Sequence, residues 1–153
     1  MSTETEQQAE AIGQWMEQQD KFARLLGIRL EAVRPGYARA SLTVRPDMLN
    51  AVRVTQGGVT FTLADFTFAV ASNSHGTTSL ALSTQLSFPG SSREGDRLVA
   101  EAREESSTKR TGLYTVEVKT GDGRLVGLFS GTVFRRSDKV AEWMENKSDP
   151  KIS

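Results

Sequence analysis

The sequence predicts an α+β fold in which an antiparallel sheet wraps around one buried helix. Residues 57–74 are apolar on nearly every side, which is typical of a helix that is buried all round. Six further segments have the length and alternation of strands, and several adjoin along the chain as hairpins, which favours antiparallel pairing. A length of 153 residues fits one core, so we expect a single domain over residues 1–153 with its core at about 28–135.

The elements are predicted in chain order. Residues 8–26 carry apolar side chains at helical spacing, and Gly27 is placed to end that amphipathic helix. Pro35-Gly36 and Gly121-Asp122-Gly123 are turn signals between strands. The six predicted strands are Ile28–Val33, Tyr37–Arg45, Leu80–Phe88, Arg97–Glu105, Leu113–Lys119 and Leu125–Arg135. The polar tail, residues 137–153, is expected to hold a short surface helix at 137–147, with Val140, Trp143 and Met144 on one side.

Composition excludes several classes of protein. Lysine plus arginine and aspartate plus glutamate both number 19, which is not the basic footprint of a nucleic-acid binder. The chain has no cysteine and one histidine, His75, so zinc–thiolate sites, disulfides and multi-histidine metal sites are excluded within one chain. The polar N-terminus has no apolar signal region, and no apolar run approaches the ~18 residues of a membrane span. We therefore expect a cytoplasmic protein with no membrane partner.

Asp65 does not fit a buried apolar helix. Its helical neighbours are Phe61, Thr62, Phe68 and Ala69, and no lysine or arginine lies between Val54 and Gly76. Burying an ionised carboxylate without a partner is costly, so Asp65 either faces a cleft, pairs across an interface or has a raised pKa. One interpretation is a catalytic carboxylate; the other is a carboxylate bonded to a strand hydroxyl or facing water.

Gly57 and Gly58 are placed to open the same helix. The first backbone N–H groups of a helix have no partner within it, and the helix dipole adds positive potential there. Such an end can polarise a carbonyl and hold an oxyanion, and glycine permits close approach. The alternative is a Gly-Gly loop required only for packing.

The two features lie eight residues apart. On one helix this separates them by ~12 Å along the axis, so one carbonyl cannot contact both. If both act in one reaction, the site must combine Gly57 of one chain with Asp65 of another, which predicts a two-fold dimer.

The segment LNAVRVTQGGVTFTLADFTFAVASNSHG resembles the signature of the PaaI-type hotdog thioesterases, relatives of phenylacetate degradation. The resemblance covers residues 28–135. It implies a hotdog fold, with the extra N-terminal helix outside the family plan, and a homodimer or a dimer of dimers. It also implies hydrolysis of acyl-CoA thioesters, some of them aryl, without a metal or a cofactor other than the CoA of the substrate.

The resemblance also implies residue roles. Asp65 matches the carboxylate that activates water or attacks directly, and Gly57 matches the backbone amide that polarises the carbonyl. Asn50 matches an asparagine near the thioester in the facing subunit, and Ser83 matches a residue that helps to place the water. Strand alternation puts Ser83 on one face with Ala81, Gln85 and Ser87, and Leu80, Leu82 and Leu86 on the other.

Gln56 departs from the pattern, because the family usually has histidine there. Glutamine can orient a substrate by donating a hydrogen bond, but it cannot carry a proton or a charge. The substitution therefore also admits a second function, a hotdog protein that binds or senses acyl-CoA without cleaving it. A hydratase is a third function, but His75 is poorly placed ten residues beyond Asp65 and is better explained as a helix-end residue.

The phosphates of CoA require cations. Arg93 and Arg97 near one loop, and Lys109 and Arg110 in another, are the candidates, with Gly58 beside the thioester. Solvated surface charges are the alternative for all four.

Overall fold

The computed structural model describes residues 2–145 and has one six-stranded antiparallel sheet in the order β1-β2-β4-β5-β6-β3. The helices and strands in chain order are α1 Glu4–Gln19, α2 Lys21–Leu25, β1 Arg29–Arg34, β2 Tyr37–Thr43, α3 Gly57–Asn73, β3 Thr77–Ser87, β4 Arg97–Ser107, β5 Thr111–Thr120, β6 Leu125–Lys139 and α4 Val140–Glu145. A 3₁₀ turn at Pro46–Met48 precedes the loop that leads into α3. The predicted α+β class is confirmed, and so is the predicted order of elements from β1 onward.

Helix α3 packs against one face of the sheet. Leu63, Ala64 and Phe68 of the helix are almost completely buried, and they meet a core of alternate residues from β2, β4, β5 and β6. The ring of Phe68 contacts those of Tyr114 and Phe129, with centroids 5.7 and 5.2 Å apart. The helix is not buried all round, however. An accessible stripe, formed by Gly58, Phe61, Thr62, Asp65 and Ala69, runs along its other side.

The N-terminal region differs from its prediction. One helix was expected over 8–26, but α1 begins at Glu4 behind a capping box of Thr3 and Glu6, and it ends at Gln19. Asp20 is extended and its side chain accepts a hydrogen bond from the N–H of Ala23 at 3.0 Å, which starts the separate helix α2.

The C-terminal region also differs. The predicted surface helix at 137–147 begins later, because β6 continues to Lys139 before α4 starts. Val140 is buried, and the indole of Trp143 donates to Asp138 at 2.7 Å. Residues 146–153, the rest of the predicted tail, lie outside the described residues.

β3 is one of the two edge strands of the sheet, and β1 is the other. Strand β3 pairs with β6 on one side, and no strand among residues 2–145 pairs with its other side. Leu80 and Leu82 on this strand are 53% and 64% exposed. A long edge strand with exposed apolar side chains is a template for pairing with another chain. No helix within residues 2–145 is long and apolar enough to cross a membrane.

Candidate active site

The start of α3 presents one unoccupied backbone donor. Gln56 is extended, with φ −63° and ψ 134°, and its side-chain Oε1 accepts the N–H of Gly58 at 2.6 Å. Gln56 is therefore the N-cap of α3. The N–H of Gly57 donates to no acceptor among residues 2–145. Gly58, predicted to bind substrate, has its N–H occupied, so Gly57 is the available donor at this helix end.

Side chains of neighbouring residues lie close to both glycines. A Cβ atom at Gly57 would lie 3.1 Å from the ring of Phe88, and one at Gly58 would lie 2.7 Å from Oε1 of Gln56. The missing side chains thus let Phe88 and the Gln56 amide lie directly against the helix start.

Asp65 lies half-buried on the accessible stripe of α3, between Phe61 and Ala69. No side chain or backbone group within residues 2–145 donates a hydrogen bond to its carboxylate, and no cation pairs with it, so the strand-hydroxyl alternative is not found. Burial raises the pKa of Asp65 above its ordinary value, and the negative charge of Asp20 raises it further. The residue has the character of a proton acceptor with a raised pKa.

Asn50 organises the loop before α3. Its side-chain Oδ1 accepts from the N–H groups of Val52 and Val54 at 3.0 and 3.2 Å, and Arg53 takes a left-handed conformation with φ 65°. The amide Nδ2 of Asn50 has no acceptor within the part of the chain that the structure describes. Asn50 and Gly57 line the same cavity of about 240 Å³. The structure thus brings Asn50, Gln56 and Gly57 together, and Asp65 lies two turns further along the helix.

The predicted alternation of β3 is correct only after Leu82: Ser83 shares a face with Gln85 and Ser87, as predicted, but it shares that face with Leu80 rather than with Ala81. The pairing of β3 with β6 shifts between Ala81 and Ser83, so that Leu82 is an extra residue in a bulge. After the bulge, Thr84 lies opposite Gly131. A Cβ atom added at Gly131 would lie 2.7 Å from the ring of Phe68, so this face of β6 is the one that α3 covers. Thr84 therefore shares the face of α3, and Ser83 lies on the outer face of the sheet.

The candidate CoA-binding cations are not equivalent. Arg97 starts β4 and forms an ion pair with Glu31, whereas the side chain of Arg93 has no acidic partner within residues 2–145. Lys109 and Arg110 lie in the β4–β5 turn and line a cavity of about 400 Å³. The 11 residues of β4 separate the two regions by ~35 Å, so within one chain they cannot surround the same phosphate.

His75 lies at the far end of α3. Its Nε2 is 2.9 Å from Glu104, which also accepts the hydroxyl of Tyr114 at 2.6 Å. Burial raises the pKa of Glu104, but the hydrogen bonds from Tyr114 and His75 more than offset this and lower it. The buried guanidinium of Arg135 donates to the carbonyl of Ser72 at 3.2 Å. This network fixes the C-terminal end of α3, in agreement with His75 as a helix-end residue.

Sequence reasoning missed the side chains that α2 contributes near the site. Phe22 of α2 and Leu26, the C-cap of that helix, face the first two turns of α3, and the negative charge of its N-cap, Asp20, raises the pKa of Asp65. A continuous helix over 8–26 places Phe22 and Leu25 on its buried face, but they are 56% and 66% exposed. The signal that was available is Asp20 itself, an N-capping residue type in the middle of the apolar pattern.

Comparison with known proteins agrees with this architecture, which is a hotdog fold: one sheet wrapped on one central helix. The sequence profile of the thioesterase superfamily matches residues 54–127. The solved structure of the Escherichia coli PaaI protein from the phenylacetic acid degradation operon superposes with a TM-score of 0.86 and 32% identity, covering 88% of this chain and 97% of that one. A protein from Thermus thermophilus superposes with a TM-score of 0.75 and 40% identity, covering 77% of this chain and 99% of the other.

Sequence relatives give the same result. A protein named putative esterase from Archaeoglobus fulgidus is 40% identical over 129 residues, which is 84% of each chain. The acyl-coenzyme A thioesterase PaaI of Escherichia coli is 35% identical over 120 residues, 78% of this chain and 86% of that protein. The chain belongs to the thioesterase superfamily, and within it to the PaaI-like hotdog enzymes, as the resemblance predicted.

Proposed function

We propose that the protein is a homodimeric acyl-CoA thioesterase that hydrolyses its substrate to a free acid and CoA. The observation that supports this most strongly is that one helix, α3, carries both a free Gly57 N–H and an Asp65 carboxylate that has no hydrogen-bond donor within residues 2–145. The first suits an oxyanion and the second suits a general base. The PaaI relatives add the substrate class.

The spacing of the two residues suits a two-fold axis. If two α3 helices lie side by side in opposite directions with the axis beside Phe61, residue 57 of each lies beside residue 65 of the other. Phe61 is half-accessible on the stripe, as such an arrangement requires. The unpaired edge of β3, with exposed Leu80 and Leu82, supports the same association of two chains. We include a further association of two dimers in the proposal.

In the proposed reaction, the carbonyl oxygen of the thioester accepts the N–H of Gly57. Asp65 of the other protomer removes a proton from water as the water oxygen attacks the carbonyl carbon. The oxyanion collapses, the C–S bond breaks, and CoA leaves as a thiolate that takes up the proton. Direct attack by Asp65, followed by hydrolysis of the anhydride, uses the same geometry. The side-chain amides of Gln56 and Asn50 supply donors that orient the thioester.

Two parts of the predicted site take a different form in this proposal. Thr84, rather than Ser83, is the β3 hydroxyl on the α3 side of the sheet, and we assign it the placing of water. For the phosphates of CoA we retain Arg93, Lys109 and Arg110, each without an acidic side-chain partner within residues 2–145, and omit Arg97, which Glu31 occupies. A cytoplasmic location also remains part of the proposal.

The test is thiol release from a panel of aryl and alkyl acyl-CoAs, with Asp65→Asn as the diagnostic variant. General-base assistance contributes ~10²–10⁴-fold, so we expect a loss of kcat in that range. Asp47→Asn is the matched control, because Asp47 is an exposed carboxylate outside the stripe.

Equal rates for Asp65→Asn and the parent would remove Asp65 from the mechanism. The replacement of histidine by Gln56 favours the second function, an acyl-CoA binding protein. Binding of acyl-CoA without release of thiol from any thioester would establish that function instead.

A further inference from the structure

The short helix α2 exposes apolar side chains that packing within this chain does not account for. The helix has five residues, and both Phe22 and Leu25 are more than half exposed. Phe22 faces α3, whereas Leu25 does not line any part of the groove described next. Comparing substitutions at Phe22 and Leu25 therefore separates the effect of removing an exposed apolar side chain from the effect of removing one that lines the groove.

Between α2 and the start of α3 lies an apolar groove of about 460 Å³, the α2 groove. Its walls are α2, the first two turns of α3 and the end of β3. The lining residues are Phe22, Leu26, Gln56, Gly57, Gly58, Val59, Phe61, Thr62, Leu86 and Phe88. None of these side chains carries a charge. The groove reaches Gly57, so a group bonded to a carbonyl at the Gly57 N–H has direct access to it.

We propose that α2 is the specificity wall of this enzyme: Phe22 and Leu26 contact the acyl group, and they select uncharged, apolar acyl groups of aryl or medium alkyl size. This inference rests on the proposed function and specifies its substrate class. An apolar groove lined by aromatic rings gains free energy from burying apolar surface of the ligand. It offers no partner to an acyl group that ends in a carboxylate.

The charges around the groove support the exclusion of acidic acyl groups. Asp20, at the start of α2, lies close enough to Asp65 to raise its pKa. In the proposed dimer, the thioester carbonyl at the Gly57 N–H lies beside the Asp65 carboxylate of the other protomer. A second carboxylate on the substrate would meet like charges as well as an apolar wall.

The sequence profile that matches residues 54–127 does not include α2, so the profile assigns no role to this helix. A structural explanation for Phe22 is also weak, since more than half of the side chain remains exposed and Leu25 beside it is equally unprotected.

The experiment compares Phe22→Ala with Leu25→Ala in the full-length protein. We would measure kcat/KM for acetyl-, hexanoyl-, phenylacetyl- and succinyl-CoA, and affinity for the corresponding non-hydrolysable thioether analogues against free CoA. Loss of one well-placed apolar contact changes discrimination by ~10-fold or more. We expect Phe22→Ala to reduce the preference for hexanoyl and phenylacetyl over acetyl about tenfold, and Leu25→Ala to leave it unchanged. Succinyl-CoA is expected to be the poorest substrate of the parent.

The thioether analogues separate failure of this inference from failure of the proposed function. If the parent cleaves no thioester, a tenfold change in the relative affinities of Phe22→Ala for the thioether analogues still supports contact between Phe22 and the acyl group. Equal selectivity in both alanine variants overturns it. A change in oligomeric state on size-exclusion chromatography with light scattering, with selectivity intact, also overturns it, because the partner chain then fills the groove.

Discussion

Replacement of Gly57 by proline removes the proposed oxyanion donor and leaves the helix intact. Proline has no N–H, and it is favoured at the first position of a helix, where Gly57 lies. The residue before a proline must be extended, and Gln56 already has φ −63° and ψ 134°. No hydrogen bond within the described residues is lost, since the Gly57 N–H makes none.

Gly57→Ala is the matched control for this change. Both variants add a Cβ atom 3.1 Å from Phe88, an exposed ring that can rotate away, but alanine keeps the N–H. The N–H of Gly58 cannot replace the lost donor while Oε1 of Gln56 accepts it at 2.6 Å. Removing one oxyanion donor costs ~10²–10³ in kcat. We therefore expect Gly57→Pro to be at least ~100-fold slower than Gly57→Ala.

The assay is kcat from thiol release under saturating acyl-CoA, accompanied by thermal unfolding of both variants. We expect Tm values close to each other, because the fixed φ of proline suits this position and restricts the unfolded chain. A proline variant that folds normally and turns over within tenfold of the alanine variant would refute the assignment of Gly57 as the oxyanion donor.

Three further predictions test neighbouring parts of the site. Asp20→Asn keeps an N-cap for α2 but removes a charge that raises the pKa of Asp65. Because kcat/KM rises as Asp65 ionises, we expect the acid limb of its pH profile to move to lower pH. An acid limb at the same pH in the variant and the parent would contradict this. Gln56→His is expected to change kcat less than about fivefold and to add no new limb near pH 6.5, since the residue acts by capping and orientation; a large rise in rate would show that charge is needed. Leu82→Arg at the β3 edge is expected to give an inactive monomer by light scattering, whereas Leu128→Arg on β6 keeps the dimer.

Long, regular patterns made most of the fold predictable. The apolar run that became α3 was predicted to begin at Gly57, and it does so because Gln56 caps it there. The alternation of β5 and the turn after it also match the structure, since each strand has one buried face. The break at Asp20 was not predictable from periodicity alone, because an aspartate fits the polar side of a long helix as well as it fits an N-cap.

The positions of the candidate site residues were predictable where residue type determines them. They were not predictable where they depend on the register between strands. Gly57, Gln56 and Asn50 lie together because a tight loop connects them. The relation of Ser83 to Leu80 and Ala81 was predicted wrongly, because a single extra residue at Leu82 reverses every later side chain on the strand relative to those two. A bulge of this kind leaves no composition signal, so a sequence pattern with period two cannot reveal it.

Asp65 also allows a prediction about the stability of the folded protein, because burial disfavours the charged form of its carboxylate. Burial, and then the charge of Asp20, raise its pKa in the folded protein above the unfolded value of ~3.9. Folded protein therefore binds this proton more tightly than unfolded protein, and stability falls as pH rises through the folded pKa. At pH below the unfolded value the group is protonated in both states and this loss of stability is absent.

Asp65→Asn, which is neutral at every pH, is accordingly expected to have a higher Tm than the parent at pH 7 and the same Tm near pH 3. Association of two stripes in a dimer buries the carboxylate further, so the variant is also expected to dissociate less readily on dilution. Thermal unfolding across pH and light scattering across concentration measure the two effects. A variant that is less stable at pH 7 would mean that the carboxylate has a stabilising partner in the dimer. An inactive variant that is more stable would show that the chain retains an unfavourable charge because the reaction requires it.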